Sequence, residues 1–337
     1  MRTVLPVCER SLAIEPTMKI KITAIIGMFL LWAQSASAEE KTVVRFGHFP
    51  NITHAQGVIA HALSRQGKGW FEKYLGPNVE IQWFTYNAGP SAMEAIFAGS
   101  LDVTYVGPSP ALNAHFKSNG EEIRVISGAA NAGAALAVKA DSPIKTPEDF
   151  RGKKIATPQL GNTQDISCRA WLKAHGFRIT LTGGDVLVIP TANPDQLGLL
   201  QKGSVDGVWT VEPWVTRLER DANARIFLED KDTITTWLVS SVKFLRNHRD
   251  LARKIADANV ELTKWIQNES DAQKLLIEEL KAETLADFSA DAVAQAWKRI
   301  QFTSEVSRDL ITKSVQDGKD AGFLKGSTDT SKLIETP

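Results

Sequence analysis

Residues 104–116 read TYVGPSPALNAHF: a β-like run ends in glycine, two prolines flank a serine, and small helix-forming residues follow. Residues 102–106 have the branched and aromatic character of a short strand, and Gly107 turns the chain. Ser109 is placed to cap the next helix, with Pro110 at its first position, where no N–H is required. The unpaired N–H groups of a helix's first turn carry partial positive charge, so such a junction is either a simple cap or an anion site. What decides between these is whether the junction stands alone.

It does not. From residue 43 the chain repeats one pattern, an apolar run, a turn, then a helical period: VVRFG before THAQGVIAHALSRQ, VEIQWF before PSAMEAIFAG, and DVTYV before PALNAHFK, closing with EIRVISGAA. A second set starts at AALAVK and runs through KKIATP with TQDISCRAWLKAHG, DVLVIP with NPDQLGLLQKG, and VDGVW with PWVTRLERD, ending in ARIFLE. This alternation predicts two α/β units, each a sheet with helices on its faces. After residues 235–242, the stretch 246–325 is charged, amphipathic and mainly helical, with Trp265 and Trp297 as apolar anchors. At several strand ends, among them Thr53, Ser91, Ser109, Thr163, Asn193 and Glu212, a helix starts beside glycine or proline. Open α/β sheets bind ligands at the carboxyl ends of their strands, so the gathering of junctions predicts a cleft.

The remaining features bound the class. Residues 18–21 (MKIK), the apolar run 22–32 and the small-residue ASA at 36–38 predict a secretory signal peptide over residues 1–38, cleaved after Ala38, with Met1 or Met18 as the start. Its removal takes four basic and two acidic residues from 39 of each, leaving 35 Lys plus Arg against 37 Asp plus Glu. A chain this near neutrality offers no field for nucleic acid or anionic membrane, so any anion recognition must be local. Of the two cysteines, Cys8 leaves with the leader and Cys168 remains as a buried apolar residue, so no disulfide or zinc knuckle is expected. No nucleophile elbow, HExxH, Walker loop or dinucleotide fingerprint is found, which removes the specific reasons to propose an enzyme. His48, His54 and His61 cluster, but spacings of six and seven suit no helical ligand pair and no carboxylate stands nearby in sequence, so neither metal nor cofactor is expected.

The stretches VVRFGHFPNITHA, NAGPSAMEAIFAGSLDVTYVGPSPAL, SPIKTPEDFRGKKIATPQLGNTQDISCRAWLKAHG and QLGLLQKGSVDGVWTVEPWVTRL resemble the periplasmic substrate-binding proteins of ABC importers, in particular the nitrate, taurine and aliphatic sulfonate group. The resemblance implies a type II periplasmic binding protein fold of two α/β lobes with a hinge and a helical C-terminal tail. Lobe one would comprise residues 39–130 and 236–337, lobe two residues 131–235, with crossings near 130–134 and 233–237. It implies a monomer that takes an anionic or zwitterionic solute and hands it to an ABC permease in the inner membrane. Two relatives of the same fold, a thiamine-pyrimidine synthase and sensory binding proteins, mark the alternatives; the synthase is cysteine-rich and intracellular, unlike this chain.

The family's ligand loops fall here on His48, Phe49 and Asn51; Asn87 and Gly89; Pro108 and Ser109; Asn162, Thr163 and Gln164; and Glu212 with Trp214. Ser109 and Thr163 are the principal candidates, as hydroxyl donors backed by helix N-terminal amides, one from each lobe. His48 donates to an anion or closes the cleft, whereas His54 belongs to the next helix. Glu212 would repel an anion, so it accepts from a ligand amine, orients a neighbour or bridges the lobes. Trp214 and Trp237 are candidate walls or core residues.

Overall fold

Strand burial explains how the sheets are ordered. A computed structural model describes residues 41–337, and the leader expected over residues 1–38 lies outside the described residues. The first sheet is built from β1 (Thr42–His48), β2 (Val79–Thr85), β3 (Val103–Val106), β4 (Ile123–Ala132), β10 (Ile234–Ser241) and β11 (Ile300–Phe302), in the order β11-β4-β10-β3-β1-β2. Every residue of β10, ITTWLVSS, is buried, as its central place demands. At the edge, β2 reads VEIQWFT, with Ile81 and Trp83 turned toward the core between the more exposed Glu80 and Gln82. The second sheet joins β5 (Ala134–Lys139), β6 (Lys154–Thr157), β7 (Leu187–Pro190), β8 (Gly207–Val211) and β9 (Ala224–Asp230) in the order β7-β6-β8-β5-β9.

Helices α1 (Ala55–Arg65), α2 (Trp70–Leu75), α3 (Gly89–Phe97) and α4 (Pro108–Lys117) serve the first sheet; α5 (Thr163–Ala174), α6 (Asn193–Gln201) and α7 (Trp214–Asp221) serve the second. β1 runs parallel to β2 and β3, and β6 to β7 and β8, the pairings that helical crossovers require. The chain leaves the first sheet at residues 132–133, both at positive φ (59° and 75°), and returns at 231–233 to lay β10 antiparallel between β3 and β4. The result is the expected two-lobed α/β architecture.

The tail supplies α8 (Val242–Asn247), α9 (Arg249–Asn268), α10 (Asp271–Thr284), α11 (Ala290–Trp297) and α12 (Arg308–Asp320). Leu262, Leu276 and Val293 join Phe46, Phe71 and Tyr105 in one buried cluster, so α9 to α11 complete the core of the first lobe. Each such side chain contributes roughly 1.5–3 kcal/mol by leaving water. α12 packs on α4 and α5 and so touches both lobes. Among the described residues no helix is long and apolar enough to cross a membrane. Cys168 lies buried in the second lobe's core, and burial pushes its thiol pKa up.

One correction concerns the opening stretch: α4 begins at Pro108, with Gly107 as its cap, so Ser109 is the second helical residue and does not cap, and Pro110 is the third and not the first. The first of the two prolines takes the first helical position because its φ is already helical and it lacks the N–H that would go unpaired there.

Asn259 of α9 pins the tail to the sheet. It is fully buried, accepts from the Tyr105 hydroxyl at 2.7 Å, and donates to Ser127 Oγ at 2.9 Å and the Gly128 carbonyl at 3.0 Å. Asn259→Ala strands these partners in the core, and urea denaturation should show a loss of about 2–4 kcal/mol.

Candidate functional site

A cavity lies between the lobes, and helix starts form most of its wall. From the first lobe come Phe49, Asn51, Thr53 and His54 after β1, Asn87 and Gly89 at the start of α3, Gly107 and Pro110 at the start of α4, and Thr235 of β10. The second lobe contributes Pro158, Asn162, Thr163 and Gln164 around the start of α5, Asn193 at the start of α6, and Val211 at the end of β8. Four helix N-termini thus meet at one gap, and α3, α4 and α6 carry no side-chain cap. The positive ends of their dipoles point to the gap without any formal charge, although proline in each first turn lowers the number of N–H groups and the Ser109 N–H of α4 is taken by Thr163. Among the described residues, no Lys, Arg, Asp or Glu lines it.

The loop before α5 is held by a buried polar frame. Asp165 accepts from the Gly161 N–H at 2.9 Å, the Thr157 hydroxyl at 2.9 Å and Arg169 Nε at 3.0 Å, and its own N–H donates to Asn162 Oδ1 at 2.9 Å. Asn162 is therefore the cap of α5 and Thr163 is relieved of that duty. Both Asp165 and Arg169 are essentially unexposed, and an ion pair in the interior persists when, as here, its remaining lone pairs and protons are satisfied. Arg169 adds a bond to the Thr180 carbonyl at 2.9 Å.

The hydrogen bonds within the wall leave donors facing the gap. Asn51 Oδ1 accepts from Trp214 Nε1 at 2.8 Å, Gln164 Oε1 from Asn162 Nδ2 at 2.9 Å, and Asn193 Oδ1 from the Thr210 hydroxyl at 3.1 Å. With each oxygen occupied, the three carboxamides offer their NH2 groups. Thr163 Oγ1 accepts from the Ser109 N–H at 3.4 Å across the lobes, which leaves the threonine hydroxyl hydrogen to donate. His54, stacked on Phe49 at 4.2 Å, has a buried Nδ1 with no partner. Burial, and after it the His48 imidazole, hold the His54 pKa well below 6.5 despite Glu283, so the ring is neutral at pH 7.

Of the residues expected from sequence, Phe49, Asn51, Asn87, Gly89, Asn162, Thr163 and Gln164 are brought together, while six stand outside the lining. Ser109 contributes its backbone N–H, and its side chain faces α12 instead, beside Ser314 and Leu324. Pro108 sits buried at the first position of α4. Glu212 turns away to Arg299, 2.7 Å from its Oε1, and to the Thr216 hydroxyl at 2.9 Å; burial raises its pKa while Arg299 opposes the rise. That pair joins the lobes, and the reason is charge: a buried carboxylate without a cation is costly. Trp214 orients Asn51 from behind, Trp237 is buried in the first lobe's core, and His48 faces away toward His61. The additional wall residues Thr53, Pro110 and Asn193 belong to the strand-end junctions visible in sequence. Gly107, Pro158, Val211, Thr235 and His54 carried no such signal as ligand residues, since folding alone turns them inward.

The cavity encloses ≈ 20 Å³, little more than the about 10–15 Å³ a single water needs. Lobe contacts surround it: Asn87 Nδ2 donates to the Pro158 carbonyl at 3.4 Å, and Ser91 and Gln159 bond at 3.1 Å. This is a closed form, and a larger solute requires the lobes to part.

A family model described as the NMT1-like family matches residues 37–279. The chain belongs to the NMT1-like family. Within the family's reach, it is 28% identical over 279 residues to the taurine-binding periplasmic protein of Escherichia coli, covering 82% of this chain and 78% of that one. It is 24% identical over 319 residues to a putative aliphatic sulfonates-binding protein of Bacillus subtilis, covering 91% and 90%. Two solved structures share the NMT1-like chain's fold. The alkanesulfonate-binding protein SsuA of Xanthomonas axonopodis pv. citri, bound to MOPS, aligns with a TM-score of 0.66 at 17% identity over 88% of this chain and 97% of that one. The periplasmic nitrate-binding protein NrtA of Synechocystis PCC 6803 aligns with a TM-score of 0.72 at 15% identity, over 88% and 87%.

Two outcomes test this geometry. A Cβ on Gly107 would strike Thr163 Oγ1 across the gap, so Gly107→Ala should hold the lobes apart, seen as a larger radius of gyration by small-angle scattering in saturating ligand. Because the native state resists protonating His54, the unfolded state binds more protons below pH 6.5, and stability should fall as pH drops through and below that value. His54→Gln should flatten that part of the pH dependence, measured by urea unfolding at several pH values.

Proposed function

We propose that this chain is the exported solute-binding component of an ABC importer, which captures a small organic oxyanion of the sulfonate, taurine or nitrate class between its lobes. The observation that carries the reading is the donor-rich, carboxylate-free lining: the NH2 groups of Asn51, Gln164 and Asn193, the Thr163 hydroxyl and four helix starts meet at one gap, with no carboxylate among the described residues that line it. Oxygens of a sulfonate or nitrate accept from these donors, while a cation would find no carboxylate among the described residues that line the gap. The names of the taurine- and sulfonate-binding relatives support the same class.

The mechanism is capture without chemistry. Solute enters the open form, the lobes (residues 39–130 with 236–337, and 131–235) rotate together, and closure removes water from the donors, which strengthens each hydrogen bond. The closed state is favoured by the extra affinity the solute has for it, and the inner-membrane permease reopens the cleft. A monomer in the periplasm suffices for these steps.

Calorimetry against taurine, alkanesulfonates and nitrate should give binding to at least one of them, and none to alkylamines of matching size. A chain that takes up the amines and ignores every oxyanion would refute the proposal. Thr163→Val should weaken binding by about 1–3 kcal/mol. Gln164→Glu and Asn193→Asp, nearly isosteric, should abolish it by aiming a carboxylate at the anion, whereas Ser109→Ala, which keeps the N–H, should bind as the parent does.

A further inference from the structure

We propose that His48, His61 and Glu283 form a site for one divalent transition-metal ion of the zinc class, distinct from the solute cavity, with Glu279 beside it. The three side chains come from the end of β1, from α1 and from α10. His48 Nε2 lies 3.1 Å from His61 Nδ1 and 3.0 Å from Glu283 Oε1, and His61 Nδ1 lies 3.0 Å from the same carboxylate oxygen. Glu279 Oε1 is 3.1 Å from His61 Nδ1. Donors bound about 2.1 Å from one ion sit roughly 3.0–3.4 Å from one another, which is the shape of this triangle.

Proton counting favours a cation. His48 Nδ1 lies 3.4 Å from the Phe49 carbonyl, which only accepts, so the proton belongs on Nδ1 and Nε2 presents a lone pair to the cluster. His61 Nδ1 then has at most one proton to share among His48 Nε2 and two carboxylates. Glu283 Oε2 is buried without a hydrogen-bond partner, on a side chain only 2% exposed. Arg65 pairs with Glu279, its Nε 2.9 Å from Oε1, whereas Glu283 faces the two imidazoles and the Thr85 hydroxyl. A dication would take up the imidazole and carboxylate lone pairs at once, with the Glu283 carboxylate offsetting part of its charge. Ligation through His61 Nδ1 puts that ring's proton on Nε2, and Arg65, half exposed and now 3.3 Å from Nε2, turns to Glu279 alone. Two imidazoles with one carboxylate select zinc-like ions over magnesium or calcium, which prefer oxygen throughout. Such an ion would fasten the start of the wall segment carrying Phe49, Asn51 and His54 to the helical tail.

The exported protein, stripped with a chelator and titrated calorimetrically with zinc sulfate, should bind one equivalent. Glu283→Gln and His61→Gln should each lose at least tenfold in affinity with unchanged far-ultraviolet circular dichroism. Cobalt(II) should give a visible d–d band that both variants lack, and zinc should raise the thermal midpoint of the parent but not of Glu283→Gln. Trp83, stacked on His61 at 5.2 Å, supplies a fluorescence reporter of the same event. Absence of zinc uptake by the parent, or equal uptake by both variants, overturns the proposal and leaves the cluster a histidine–carboxylate ion pair.

Discussion

The two passages of the chain between lobes run side by side, and the site depends on this constraint. β4 carries the chain out and β10 brings it back, and these strands are antiparallel neighbours in one ladder. The Ala132 N–H donates to the Thr233 carbonyl at 2.8 Å, and the Glu212 N–H to the Gly133 carbonyl at 2.9 Å, so the crossings are bonded to each other and to the end of β8. Adjacent linkers share one axis, which leaves rotation as the easy relative motion and sets the gap opposite them. Left-handed φ at Ala132 and Gly133 makes the turn, and a Cβ at Gly133 would meet Ile300 at 2.6 Å. The Arg299 to Glu212 pair closes the same corner.

Given that axis, the cavity acquires its character from what the protein has already hydrogen-bonded. A lysine or arginine buried there would have to be desolvated whenever the lobes close, at a cost of several kcal/mol unless paired. Amide and hydroxyl donors avoid that penalty, and helix starts add fixed partial charge in the right direction. The acceptors in the wall are occupied: Trp214, Thr210, Asn162 and the Ser109 amide each donate to an oxygen of a residue that lines the cavity. Residues one layer behind the wall thus decide its polarity. The same economy explains why Glu212, despite its place beside Trp214 at a strand end, serves the corner and not the cleft.

What could be read along the chain was local. Strand-to-helix junctions such as those before Thr163 and Asn193 announce themselves because turn and capping chemistry act over a few residues, and the alternation of periods 2 and 3.6 exposes two α/β units. The side each residue faces was less legible. Ser109 and Thr163 stand in similar local settings, yet Pro108 starts its helix one step early and turns the serine side chain toward α12, while Asn162 caps the other helix and frees the threonine. A one-residue change in helix start rotates a side chain by about 100°, and sequence alone does not resolve it.

By itself, then, the sequence determined the lobes, the strand-end corners and the near-neutral charge, all consequences of short-range stereochemistry and composition. Only the tertiary structure decided which oxygens are occupied, which tryptophans are core, and that His61 meets Glu283 from 222 positions away. Histidine spacing gave no reason to expect that cluster, because its carboxylates belong to a helix placed by apolar packing, and packing brings together residues whose separation along the chain carries no information about their distance in space.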